Sequence, residues 1–364
     1  MAFRFDPAPD GDPAEEDRMS FVPKELETHV NWRSTNVADP HRWTMMLTES
    51  DQRELDHALK AAKSVSDNLL DIRKESFPLD GLVPKLADVE RELIDGRGFM
   101  RIGALDTARY SDDDLTLLYW GIGLHLGDPW PQNKYGHMMG DVTDQGKALD
   151  DPTLRGNEIG LIGLDYHTDG SDLVGLMCLR PAKSGGLSCV ANVVAIYNEL
   201  VRVRPDLAAA LYNPLPWDFR GEQPAGGQRY YMRAVFTEHE GRLFNFFVPQ
   251  YIKASQRHPE APRLSALEHE AIDTVCEMAR RPEFNVYMEI PPGYMQFINN
   301  YHVLHGRQPY EDDVAHGYKR HLKRLWLATH QLKSRPQAFA NGAHGHWAKN
   351  KSVSRIAAVQ RATG

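Results

Sequence analysis

Cysteine is scarce in this chain: its 364 residues include three, Cys178, Cys189 and Cys276, and no two of them form a CxxC pair. Disulfide-dense extracellular domains and cysteine-rich zinc modules need closely spaced cysteines, so both are excluded. An odd number of separated thiols indicates a reducing compartment. The N-terminus also lacks the basic flank and apolar run of a secretory signal. We therefore expect a cytoplasmic protein.

Long apolar runs and an excess of positive charge are also missing. No stretch approaches the roughly 20 apolar residues that a membrane-spanning helix needs, and the formal net charge is -8 at pH 7. Nucleic-acid binding relies on clustered Lys and Arg facing phosphates, and the composition shows no such excess. The expected partner is a small molecule, with no nucleic acid and no membrane.

No internal repeat, low-complexity linker or block of like charge divides the chain. We predict one domain over residues 25–335, preceded by a flexible acidic tail over 1–24 and followed by a C-terminal extension over 336–364. Within the domain, residues 25–155 have a mainly helical pattern and residues 156–335 a mainly β pattern. Such a length is compatible with one β barrel or sandwich that carries added helices.

The N-terminal part contains three helical patterns, each with one apolar stripe. The first stripe begins at Leu55 and the second at Leu82. The third follows a predicted N-cap at Ser111, in a segment that ends near residue 127. A further helix is predicted in the β part, where Ser265 and Glu268 form a capping box. These helices are expected to pack against a core through their apolar stripes.

Eight short β-like runs follow from about residue 159. They are GLIGLDYH, DLVGLMCLR, GLSCVANV, QRYYMRAVF, RLFNFFV, FNVYMEI, YMQFIN and RHLKRLWLATH, and turn residues separate them. Eight strands are enough for a sandwich or barrel. The predicted fold class is therefore mainly β with flanking helices.

Two His-x-acid pairs are candidate metal ligands, namely His167 with Asp169 and His258 with Glu260. Residues two apart on a strand point to the same face, so both side chains of a pair can contact one ion. Chance placement of the acidic residues and histidines produces about two such pairs in a chain of this composition. Context favours the first pair, because His167 joins two apolar strands whereas His258 lies in a polar stretch with prolines.

A third ligand is needed, because iron bound by two imidazoles and one carboxylate keeps three positions open. His305 is the candidate, since it follows a predicted strand and the adjacent Gly306 permits close approach of the backbone. His302 is the alternative ligand. A purely structural role for these histidines also stays open at this point.

The last β run carries two arginines on one face, since a period of two places Arg320 and Arg324 on the same side as Trp326. Burying a guanidinium is costly unless an anion pairs with it, and its planar fork suits a carboxylate. The pattern indicates a carboxylate-binding face. A solvated edge strand is the alternative.

Residues from about 25 to 335 resemble the TauD/TfdA family of Fe(II)- and 2-oxoglutarate-dependent dioxygenases, which includes taurine dioxygenase and clavaminate synthase-like enzymes. The resemblance depends on four segments in the family's order, namely His167-Thr168-Asp169, PAKSGGLS ending at Ser188, Leu304-His305-Gly306-Arg307, and Arg320-x-x-x-Arg324. It implies a double-stranded β-helix, a cupin-like jelly roll, whose open mouth holds the metal.

Residue by residue, the resemblance assigns His167, Asp169 and His305 to iron. It assigns Ser188 to 2-oxoglutarate, together with Arg320 at the far carboxylate and Arg324 nearer the iron-bound end, and the roles of the two arginines are exchangeable. The implied cofactors are Fe(II), 2-oxoglutarate and O2, with no separate acid or base. An acid at Asp169 favours hydroxylation over halogenation, with release of succinate and CO2.

The substrate is not readable from the sequence. Candidate contacts are Gln132, Asn133, Arg229 and Tyr230, which lie in or beside aromatic-rich segments. Desaturation, ring closure and epimerisation share the same metal ligands, and the resemblance leaves a homo-oligomer open. Two other functions use the same residues: a jelly-roll enzyme with zinc or manganese for hydrolysis or isomerisation, and a non-enzymatic jelly roll that binds a small molecule.

Overall fold

A computed structural model describes residues 22–103, 105–147, 156–332 and 334–339. Nearly all of the predicted tail over 1–24 lies outside the described residues, and so does most of the predicted extension over 336–364. Both stay predictions.

Seven α-helices lie in these described ranges: α1 (Glu49–Val65), α2 (Leu82–Ile94), α3 (Asp112–Leu126), α4 (Val193–Val203), α5 (Pro205–Ala210), α6 (Pro249–Ser255) and α7 (Ala266–Arg280). The predicted cap of α3 is confirmed, since the Ser111 side chain accepts a hydrogen bond from the Asp114 backbone. The capping box of Ser265 and Glu268 at α7 is confirmed as well. Within the described part of the chain, no helix combines the length and the apolar character that a membrane crossing requires.

The described residues form seventeen strands. In chain order they are β1 (Thr44–Met46), β2 (Phe99–Gly103), β3 (Asp128–Pro129), β4 (Met139–Val142), β5 (Leu164–His167), β6 (Leu173–Arg180), β7 (Ser184–Gly185), β8 (Ser188–Asn192), β9 (Leu215–Asp218), β10 (Tyr230–Arg233), β11 (Phe236–His239), β12 (Arg242–Asn245), β13 (Asn285–Met288), β14 (Met295–Asn299), β15 (Val303–Arg307), β16 (Tyr310–Glu311) and β17 (His321–Ala328). Each of the eight predicted β runs contains an observed strand.

Two sheets form the jelly roll. The larger one has the order β1-β2-β14-β6-β17-β3, with β4 also paired to β17, and the smaller one has the order β13-β8-β15-β5. Neighbouring strands are antiparallel except for the parallel pair β1 and β2. The predicted class, mainly β with a jelly-roll core and flanking helices, is confirmed.

Helices cover both sheets and complete one apolar core. α2 contacts β2 and β14, and α3 contacts β6 and β17, so these two helices pack on the larger sheet. On the smaller sheet, α4 contacts β15 and α7 contacts β8. The buried apolar side chains form one continuous cluster through these layers. Burial of this cluster, which includes Trp217, Phe297 and Leu325, holds the two sheets in a fixed relation.

Two differences from the sequence prediction concern the strands of the two sheets. Strand β15 was missed, because its sequence, Val-Leu-His-Gly-Arg, is neither a continuous apolar run nor an alternation of apolar and polar residues. His305 therefore lies within a strand rather than after one. The N-terminal part, predicted to be mainly helical, also contributes the strands β1, β2, β3 and β4 to the larger sheet.

Candidate active site

The three predicted metal ligands lie together at the end of β5. One ligand atom each from His167, Asp169 and His305 can be chosen so that all three lie within 4.8 Å of one another. His167 ends β5 and His305 is central in β15, and the pairing of these strands places the two histidines directly opposite each other. Their ring centroids are 4.3 Å apart. The antiparallel register thus brings together residues that are far apart in sequence.

The loop that carries Asp169 is fixed by hydrogen bonds to its backbone. The Asp169 N–H donates to Oδ1 of Asn300 at 2.9 Å, and Nδ2 of Asn300 donates to the Ser171 carbonyl at 2.9 Å. On the other side, the Thr168 N–H donates to the Phe247 carbonyl at 2.8 Å. The carboxylate is therefore carried by a rigid backbone.

A hydrogen bond orients one histidine ligand, and burial keeps the other uncharged. Nδ1 of His167 lies 2.8 Å from the Asp165 carbonyl, which accepts only, so Nδ1 carries the proton and Nε2 is left for a metal. Nε2 of His305 lies 3.8 Å from Oδ2 of Asp169. Burial, followed by the nearby His167, lowers the pKa of His305 to about 3. At neutral pH its imidazole is uncharged, which is the form that binds metals.

The Asp169 carboxylate is held in its ionised form. Burial by itself would raise its pKa, but Arg324, His305, His167 and a hydrogen bond from Trp326 outweigh burial and lower the pKa below the ordinary range. Nε1 of Trp326 donates to Oδ2 at 2.9 Å, and Nη1 of Arg324 lies 3.5 Å from the same oxygen. Two imidazoles and one ionised carboxylate are the ligand set of a non-haem iron site.

Trp326 was predicted to share a face with the two arginines, but its bond to the metal-ligand carboxylate was not foreseen. Replacing Trp326 with Phe is expected to weaken Fe(II) binding about tenfold or more, because hydrogen bonds to metal ligands orient them. Metal titration of the purified variant measures this. Trp43→Phe is the matched control, since it removes an indole bond to the Val37 carbonyl elsewhere in the fold. Equal affinities of the two variants would contradict the expectation.

A narrow cavity of about 50 Å³ connects the metal ligands to Arg320. Arg320 is buried, and within the described residues its Nη1 has no hydrogen-bond partner. Burial lowers the pKa of this guanidinium. Gly186, in the left-handed region with φ 76°, leaves room for it, since a Cβ there would lie 3.2 Å from Nε of Arg320. A buried cation with an open donor fits the far carboxylate of 2-oxoglutarate.

Ser188 lies in the same narrow cavity, and its Oγ donates to Oε1 of Gln296 at 2.9 Å. Gln296 was not predicted as a site residue. The signal for it was weak: it is the one polar residue in the stretch Met295–Ile298 of β14. Buried polar side chains need hydrogen-bond partners, so Gln296 holds the Ser188 hydroxyl at the cavity wall.

Arg324 lies between the narrow cavity and a larger one, and Gln132 fixes its side chain. Nε of Arg324 donates to Oε1 of Gln132 at 2.8 Å, while Nε2 of Gln132 donates to the Arg324 carbonyl at 2.8 Å. Gln132 was predicted as a substrate contact. The structure buries it beside Arg324, and it also lines the larger cavity.

The larger cavity has a volume of about 820 Å³ and reaches the metal ligands His167 and Asp169. Asn133, which was also predicted as a substrate contact, lines it together with Gln132. Arg229 and Tyr230 are not among its described lining residues. Arg229 instead forms an exposed ion pair with Glu260 at 3.0 Å.

The two competing histidines lie outside the ligand cluster. His302 is buried beside Asn299, with 3.4 Å between Nδ1 and Nδ2, and burial lowers its pKa to about 4. Nε2 of His258 lies 3.2 Å from Oδ1 of Asp218. Among the residues that the structure describes, the one group suited to a metal is formed by His167, Asp169 and His305.

The family model described as "Taurine catabolism dioxygenase TauD, TfdA family" matches residues 62–326 of the chain. The protein belongs to the TauD/TfdA family. It is 31% identical over 339 residues to FR-33289 synthase of Streptomyces rubellomurinus, a match that covers 90% of this chain and 97% of that protein.

Solved structures of oxygenases have the same fold. Asparagine oxygenase with Fe(II), 2S,3S-3-hydroxyasparagine and succinate is 17% identical, with a TM-score of 0.61 over 83% of this chain and 98% of that one. The oxygenase OrfP with Fe and alpha-ketoglutaric acid is 17% identical, with a TM-score of 0.60 over 78% and 94%. The predicted reaction class is confirmed: this TauD/TfdA protein is an iron- and 2-oxoglutarate-dependent oxygenase.

Proposed function

We propose that this TauD/TfdA protein hydroxylates a small organic molecule, with Fe(II) held by His167, Asp169 and His305. The observation that carries the proposal is the buried guanidinium of Arg320, which has an open donor in the same narrow cavity as the three ligands. A metal site and a carboxylate anchor that share one cavity are what iron and 2-oxoglutarate together require. Hydrolysis by zinc would need no such anchor.

When bound, iron with 2-oxoglutarate and O2 supplies the oxidising chemistry and releases succinate and CO2. The chain's own residues bind and orient. Arg320 would pair with the far carboxylate of 2-oxoglutarate, and the Ser188 hydroxyl would donate its one hydrogen to that carboxylate instead of to Gln296. Arg324, fixed by Gln132, would face the end nearer the metal ligands.

The substrate would occupy the larger cavity, whose volume of about 820 Å³ lies within the range of small-molecule sites. Phe219, Phe246 and Tyr251 supply apolar walls, and Asn133 supplies a polar one. Because the cavity reaches His167 and Asp169, a C–H bond of the bound molecule can be held beside the metal. Hydroxylation is favoured over halogenation, because the carboxylate of Asp169 is present among the ligands.

Anaerobic titration of the protein with Fe(II) and then with 2-oxoglutarate tests the proposal. We expect a weak visible charge-transfer band that needs both additions, and formation of succinate when O2 is admitted. Omitting 2-oxoglutarate, or replacing Fe(II) with Zn(II), is the control. Retained band formation in His167→Ala, or succinate formation independent of iron, would show that the assignment of the ligands is wrong.

A further inference from the structure

The loop between β5 and β6, residues 168–172, carries one of the three metal ligands and ends at a buried carboxylate, Asp172. The Tyr301 hydroxyl donates to Oδ1 of Asp172, and the Thr329 N–H donates to Oδ2 at 2.9 Å. Arg335 adds two charged donors: its Nε donates to Oδ1 at 3.0 Å, and its Nη2 donates to Oδ2. Segments that are distant in sequence therefore meet at this one carboxylate.

Asp172 is connected to the metal ligand Asp169 through Asn300. The Asp172 carbonyl accepts the Asn300 N–H at 3.0 Å, and Oδ1 of Asn300 accepts the Asp169 N–H at 2.9 Å. Asn300 also precedes Tyr301 in the connection from β14 to β15, the strand that contains His305. A shift of Asp172 would consequently move the backbone of Asp169 relative to His305.

Arg335 is the cation that neutralises this buried carboxylate. The exposed fractions of the two side chains are 6% for Asp172 and 20% for Arg335, so the ion pair is largely removed from water. Two carbonyls after β17 accept the remaining hydrogen bonds of the guanidinium, that of Leu332 from Nη1 at 2.6 Å and that of Thr329 from Nη2 at 2.8 Å. Among the residues that the structure describes, no second Lys or Arg pairs with Asp172. A buried carboxylate that loses its cation is destabilised in its position, because neutral donors alone do not compensate its charge.

Aromatic contacts hold the chain that follows Arg335. Phe339 is buried, and its ring centroid lies 5.3 Å from those of Phe244 and Tyr301. The guanidinium carbon of Arg233 lies 4.0 Å from the centroid of Phe339 and 4.2 Å from that of Phe246. Phe246 in turn lines the larger cavity. The segment after β17 is thus fixed between the metal-ligand loop and the wall of that cavity.

We propose that Arg335 is a positioning residue for the metal site. It holds Asp172 and, through Asn300, the metal ligand Asp169, and it does not touch the reacting atoms itself. Metal ligands bind tightly when the residues around them hold them within about 0.5 Å of the required geometry, so releasing the loop weakens metal binding although no ligand is removed. This inference rests on the proposed function, since it assumes the assignment of the three metal ligands.

Arg335→Ala tests the positioning role with metal affinity as the readout. Purified proteins are titrated anaerobically with Fe(II), well below their unfolding temperatures, and Tm is measured without metal. We expect Arg335→Ala to bind Fe(II) about tenfold more weakly than the wild type, the lower end of the effect of groups that bond to a ligand directly. Arg335→Lys should recover part of this loss, because it restores a cation but not the planar fork.

Tyr301→Phe is a milder variant that tests the same carboxylate from the β15 side. It removes one donor to Asp172 and keeps the ring that contacts Phe339, so we expect a folded protein. Its Fe(II) affinity should fall about threefold, in line with the loss of one hydrogen bond. If Arg335→Ala does not fold, an unchanged affinity in Tyr301→Phe overturns the proposal.

Arg257→Ala is the matched control, because Arg257 also pairs with both oxygens of a buried carboxylate. Its Nε lies 2.8 Å from Oδ2 of Asp218, and its Nη2 donates to Oδ1 at 3.2 Å. This variant should lose thermal stability, as Arg335→Ala does, while its Fe(II) affinity stays within about twofold of the wild type. Unchanged Fe(II) affinity in Arg335→Ala, or an equal loss in Arg257→Ala, would show that Arg335 stabilises the fold alone. Failure of the wild type to bind Fe(II) would count against the proposed function instead.

Discussion

Replacing His305 with alanine is expected to lower the affinity for Fe(II) at least about 100-fold and to abolish succinate formation. Loss of a hydrogen-bonding partner of a ligand already costs about 10- to 100-fold in metal affinity, and loss of the ligand itself costs more. His305 is central in β15, opposite His167, and contributes an imidazole that burial keeps neutral. Metal titration and a succinate assay on the purified variant measure both effects.

His302→Ala is the matched control for this prediction, because His302 was the alternative ligand and lies three residues earlier. It is buried beside Asn299 and lies outside the ligand cluster. We expect the variant to unfold at a lower temperature, since a buried side chain is lost, while Fe(II) affinity stays within a few-fold of the wild type. The reverse pattern, with metal binding lost in His302→Ala and kept in His305→Ala, would exchange the two roles.

Arg320→Ala is expected to raise the KM for 2-oxoglutarate about 30-fold or more. Removing one partner of a buried charge pair costs about 2–5 kcal/mol. The lower end of this range corresponds to about a 30-fold loss of affinity, and the upper end to a larger loss. The guanidinium is buried with an open Nη1 donor, so a bound carboxylate would be its charged partner. Succinate formation measured against 2-oxoglutarate concentration gives the KM.

The thermal stability of this variant separates cosubstrate binding from folding. In the absence of 2-oxoglutarate, Arg320→Ala should unfold no earlier than the wild type, because it removes a buried cation whose pKa burial lowers. Saturating 2-oxoglutarate should raise the Tm of the wild type but not that of the variant. Arg180→Ala, which removes an arginine paired with Asp112 on the outside of the sheet, is the control and should respond like the wild type. An unchanged KM in Arg320→Ala would move the role to Arg324.

The fold class, the reaction class and the candidate ligands were all predictable from the order of the residues along the chain. All eight predicted β runs contain strands, because each run combines β-favouring residues with flanking turns, and both properties are local. His167 and Asp169 are two residues apart, so their common direction also follows from local geometry. Arg320 and Arg324 were predicted to share a face for the same reason, and both line the narrow cavity.

Which residues meet across the sheets depends on the folded arrangement of the strands. The position of His305 directly opposite His167 depends on the register of β15 against β5, and β15 itself lacked the alternation that sequence patterns detect. The hydrogen bonds between Gln132 and Arg324 join positions 192 residues apart. Likewise, the β9–β10 connection carries both Arg229 and Arg220, and no local pattern shows which one faces the cavity. Such contacts depend on long-range pairing and packing, whereas periodicity and turn chemistry depend on neighbouring residues alone.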